Sequence, residues 1–125
     1  MNYDKLKSIL HEKGVVSHNN LNKVCFHSQQ ESMEHFLAKA IISHIIFSKG
    51  NCGVVTEAEF ENGRVIDILQ VFPSGNCVGY EIEGTNNYKP NIEEIDIMEI
   101  KLNDIPYELK GNLKKLYDWL EVMIV

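Results

Sequence analysis

A chain of 125 residues, 44% hydrophobic and 24% charged, is long enough to bury one core without disulfide or metal staples, and its composition excludes disordered and fibrous classes. The net charge of −6 argues against a general nucleic-acid coat protein, because neutralising phosphates needs a basic face. No apolar run approaches the roughly 18 residues of a membrane span, and the charged segment 1–13 has no signal core, which predicts a protein kept in the cytoplasm.

The first predicted element is a short helix over 3–13, with Leu6, Ile9 and Leu10 on one side and Gly14 as its stop. Residues 1–28 are read as this helix followed by a polar segment, and 29–125 as one α/β domain. Cys25, Cys52 and Cys77 lack CxxC spacing, so free thiols are expected rather than a disulfide framework or a zinc site. Ser28, with Glu31 three residues on, is the expected N-cap of a second helix running to about Ser48 and ending at Gly50. Met33, Phe36, Leu37, Ala40 and Ile41 form one stripe of that helix. Opposite lies a second stripe of Glu31, His35 and Lys39, then Ile42 and Ile46. A helix apolar on two sides is expected to be covered on two sides.

Three strands are predicted over 52–60, 64–72 and 77–83, rich in Val, Ile, Tyr and Phe and separated by turn residues. They read as a β-meander. Residues 84–91 are turn-prone, 95–100 read as a fourth strand, and 109–122 as a closing helix with Leu113, Leu116, Tyr117 and Leu120 at helical spacing. Tyr117 and Trp119 are expected in the core or a dimer contact.

Register decides whether the acids of the meander meet. A three-residue loop at Glu61, Asn62 and Gly63 pairs Phe60 with Arg64 and sets Glu57 opposite Asp67. In the second hairpin, a five-residue loop, or a four-residue loop with a bulge, sets Asp67 opposite Glu81. A plain four-residue loop sets Asp67 opposite Ile82 instead. In the favourable register Glu57, Asp67 and Glu81 line one face, and Glu59 and Glu83 form a second row.

Like charges opposite one another destabilise a sheet. On a solvated face such acids only solubilise it; under a helix they need a bound cation or Lys39 as a partner. Oxygen-only ligands of this kind suit Mg²⁺ or Mn²⁺ rather than zinc. A divalent ion polarises a phosphoryl oxygen and lowers the pKa of a bound water. Lys39 is the candidate to balance charge or orient that water, with His35, Glu31 and Glu59 as auxiliaries.

Asp67, thirteen intervening residues, and then Glu81, Ile82 and Glu83 on a strand resemble the PD-(D/E)XK superfamily of restriction-endonuclease-like nucleases, which includes archaeal Holliday junction resolvases. The strings 55–57, 63–69 and 80–83 carry the likeness, and the order of elements extends it over 29–125. The resemblance implies a mixed sheet flanked by helices, a catalytic set of Asp67, Glu81, Glu83 and Lys39, and a metal held by Asp67, Glu81 and the Ile82 carbonyl, with Glu57 beside them. Where the family carries Lys, this chain has Glu83. Metal-dependent cleavage of a nucleic acid, DNA before RNA, is the expected function, with a homodimer or targeting subunit supplying affinity. The alternative is an inactive nuclease-like module acting as a binding or regulatory protein.

Overall fold

The computed structural model of the chain describes residues 2–16, 21–24, 32–82, 91–92, 94–101 and 112–124. Chain order is α1 (Tyr3–Glu12), α2 (Met33–Ser48), β1 (Gly53–Glu59), β2 (Val65–Val71), β3 (Cys77–Ile82), β4 (Asp96–Ile100) and α3 (Leu113–Glu121). The strands form one sheet in the order β1-β2-β3-β4. The first two pairings are antiparallel, and β4 runs parallel to β3. This is an α+β architecture on a mixed sheet, within the expected α/β class.

The Asn2 side chain caps α1, accepting from Lys5 N–H at 2.7 Å, and Gly14 ends the turn at φ 81°. Leu6, Ile9 and Leu10, spaced on one side, are buried against a first core with Val55, Ala58, Ile66, Leu69 and Cys77. Each such Leu or Ile contributes roughly 1.5–3 kcal/mol on full burial. The leading helix therefore shares the core of the sheet.

α2 covers the opposite face. Ala38, Ile42, Ile45 and Ile46 pack with Val54, Ile68, Tyr80, Ile82, Ile100 and Leu120, and Trp119 and Tyr117 of α3 lie against the same cluster. Its cap is Ser32, whose hydroxyl accepts from His35 N–H at 3.1 Å, and not the expected Ser28, which lies outside the described residues. Ser32 has the extended backbone (φ −68°, ψ 154°) that an N-cap requires.

Both hairpins hold the favourable register. Phe60 N–H bonds Arg64 O at 2.8 Å and Gly63, at φ 88°, closes the first loop. Five residues, 72–76, separate β2 from β3; Phe72 N–H bonds Asn76 O at 2.9 Å, leaving Pro73, Ser74 and Gly75 as the tight turn. Ile68 pairs with Tyr80, which puts Asp67 level with Glu81.

The strands are irregular at one level. Thr56 pairs with Ile68 and Ala58 with Ile66, but the intervening Glu57 and Asp67 form no ladder pair, and Glu57 has φ 51°. Val55 and Ala58 both face the α1 side, as do Ile66 and Leu69. A regular strand would alternate, so residues three apart on one face mean that both strands skip a side change at this level.

Candidate functional site

The irregularity decides where the acids go. Glu57 turns to α2, where Lys39 Nζ donates to its Oε1 at 2.7 Å. Lys39 lies one turn beyond His35 on α2, with 0% of its side chain exposed, and that of Glu57 is only 9% exposed. Burial without a counter-charge would be prohibitive for either group, so each accounts for the other.

Asp67 turns the same way. Its Oδ2 accepts from Ile82 N–H at 2.8 Å and lies 3.6 Å from His35 Nε2. That nitrogen donates to the Ile82 carbonyl at 3.2 Å, since a carbonyl can only accept. The Ile82 backbone is thus held on its N–H by Asp67 and on its C=O by His35, just where the β2–β3 ladder has ended. Burial pushes the Asp67 pKa up, but the His35 hydrogen bond, the Ile82 N–H and the charges of His35 and Lys39 outweigh it and hold the carboxyl below its ordinary value.

Glu81 goes to the other face. It follows Cys77 and Gly79 on one side of β3; Cys77 belongs to the α1-side core, and a Cβ on Gly79 would meet Ile66 and Ile97 there. Glu81 Oε1 accepts from Arg64 Nη2 at 3.0 Å, and both residues are buried. Arg64 pairs with Phe60 of the same core, so the two placements agree.

The structure therefore brings together Glu57, Asp67, His35, Lys39 and the Ile82 backbone, and separates Glu81 from them. The acids share one level of the sheet without sharing one face. Glu59 is exposed opposite Val65, whereas Glu31 and Glu83 lie outside the described residues. Asp67 and the Ile82 carbonyl both lie beside His35 Nε2, whereas Glu81 lies on the other face with Arg64. Among the described residues, no three His, Cys, Asp or Glu side chains are gathered as a metal site.

Sequence reasoning missed two participants. Arg64 sits three residues before Asp67, and only the skipped side change makes it a neighbour of Glu81. Ser32 is an ordinary capping residue ahead of Met33, passed over for the Ser28 and Glu31 spacing. Among the described residues, no helix is long and apolar enough to cross a membrane. Compared with known protein families, curated proteins and solved structures, the chain matches none of them.

Proposed function

We propose that the chain is a restriction-endonuclease-like module that works by binding, as a regulatory or partner protein, and does not itself cut nucleic acid. The order of helix, antiparallel meander, parallel fourth strand and helix supports the fold. One observation carries the loss of cutting: the three acids are divided between two faces, and each meets a side chain of this chain, the Lys39 ammonium for Glu57, the His35 imidazole for Asp67 and the Arg64 guanidinium for Glu81. A hard divalent cation takes several oxygen ligands converging at about 2.0–2.6 Å, and carboxylates on opposite faces of a sheet do not converge. The acids then serve as internal ion pairs.

A second proposal keeps the nuclease activity, and a specific observation favours it. Asp67 Oδ2 and the Ile82 carbonyl both lie within 3.6 Å of His35 Nε2, with Glu57 and Lys39 on the same side. In that case these oxygens and Glu57 hold Mg²⁺ or Mn²⁺, which polarises the phosphoryl group. Lys39 balances charge and His35 handles a proton. The substrate is nucleic acid, DNA before RNA, and a homodimer or targeting subunit offsets the acidic surface.

One experiment separates the two. Mn²⁺ is titrated calorimetrically into the wild type and into Asp67→Ala, and branched, single-stranded and duplex DNA and RNA are incubated with the protein in Mn²⁺ and in chelator. A binding module gives no heat that depends on Asp67 and no cleavage. Metal-dependent cleavage lost in a folded Asp67→Ala protein would overturn the binding module and establish the nuclease.

A further inference from the structure

The two edges of the sheet are treated differently. The free side of β1 is capped by the chain itself: Val16 N–H bonds Glu59 O at 2.8 Å, Glu61 N–H bonds Gly14 O at 2.9 Å, and Asn22 N–H bonds Val54 O at 2.7 Å. Val15 and Leu21 bridge to Phe60 and Val55 there. β4 is the other edge. Among the described residues, no hydrogen bond is made to its outward side, and every pairing of β4 is to β3. Along it Asp96, Met98 and Glu99 are exposed, Ile97 is half-buried and Ile100 is buried.

We propose that the edge of β4 is a strand-docking site for an extended, lysine- or arginine-bearing segment of a partner protein. An open edge offers a row of backbone donors and acceptors that an added strand satisfies, while alternate side chains confer selectivity. Charge selects the occupant. Asp96 and Glu99 lie on opposite faces of the strand, so a partner with basic residues on either face meets a carboxylate. A second copy of this chain is disfavoured. Antiparallel self-pairing about Met98 places the two Glu99 side chains diagonally on one face, in a ribbon of four carboxylates joining two chains of charge −6. Acids on an edge suppress like-with-like addition and leave a basic strand as the complement. Met98, exposed between them, supplies an adaptable apolar contact.

This inference deepens the binding-module proposal and rests on it; cleavage activity would remove that proposal, whereas the edge is judged by peptide binding alone. The full chain, labelled for NMR, is titrated with a synthetic peptide alternating lysine and valine and with its glutamate counterpart. The lysine peptide is expected to bind, to slow amide exchange at residues 97–100, and to bind about tenfold more weakly to Asp96→Lys/Glu99→Lys, where two attractive cross-strand pairs become repulsive. Glu12→Lys/Glu34→Lys, the same charge change on exposed helical positions, is expected to bind as the wild type does. The site is refuted if the lysine peptide fails to bind, if protection maps away from β4, if both double variants weaken binding equally, or if the protein pairs with itself through this edge.

Discussion

Replacing Lys39 with methionine tests the ion pair at the centre of the α2 face. Methionine roughly keeps the volume and the unbranched stem but removes the ammonium that donates to Glu57 at 2.7 Å, leaving a carboxylate whose side chain is 9% exposed. Removing one partner of a buried pair costs about 3–5 kcal/mol. Glu57 lies at the margin of the core and gains some water by turning outward, so the lower end, about 3 kcal/mol, is expected. For a chain of this size that corresponds to a melting temperature lower by roughly 10 °C. The assay is urea unfolding at pH 7, read as a fall in the midpoint at unchanged slope. Lys39→Met/Glu57→Gln should recover more than half of the loss, because a buried pair exchanged for neutral groups of similar shape is close to neutral. A loss below about 1 kcal/mol in the single variant, or a double variant no better than the single, would refute the claim that these charges stabilise one another.

Three further outcomes are expected. Gly53→Ala places a Cβ 2.5 Å from Leu6 Cδ1 and 2.9 Å from its Cδ2; with Leu6 buried, overpacking should cost about 1–3 kcal/mol, and adding Leu6→Val should return part of it in the same unfolding assay. Asp67 has a folded-state pKa below its unfolded value, so its contribution is present above the unfolded pKa and is lost as pH falls through the folded one; the stability gap between wild type and Asp67→Asn should be flat from pH 5 to 6 and close in acid, and a gap that widens in acid would contradict the assignment. Burial pushes the Cys77 thiol up to about 11 despite the charge of Lys13, so Cys77 should resist iodoacetamide at pH 8 in the folded protein and react only in denaturant, as mass spectrometry of its peptide will show.

Much of the fold was legible because periodicity and turn chemistry are local. Leu6, Ile9 and Leu10 announced the buried side of α1. Gly63 announced a left-handed loop position, and with it the pairing of Phe60 and Arg64. The second loop stayed open, because strands over 64–72 and 77–83 leave four residues between them; the five residues 72–76 that separate β2 from β3 in the structure are what set Asp67 level with Glu81. The site was legible only in part, because a level in the sheet is not a face. The rule that opposite residues share a side assumes that every residue changes side from its neighbour, and Glu57, a non-glycine residue at φ 51°, breaks that assumption. Nothing about Glu57 as a residue type forecasts a left-handed conformation. The buried ammonium of Lys39 that anchors it comes from an element 18 positions earlier. The pairing of Glu81 with Arg64 was hidden for the same reason. Partnership of Lys39 with an acid was legible, since a carboxylate under a helix requires a cation.

The way the Ile82 backbone is held has a mechanical consequence. On its β4 side the end of β3 is held by backbone pairing, Ile82 with Ile100; on its β2 side it is held by Asp67 and His35, groups that substitution can remove one at a time. The β2-side anchorage of the last β3 residue is thereby written in two replaceable side chains, and a substitution at either one releases one backbone group of Ile82 while the parallel pairing with β4 stays as it is.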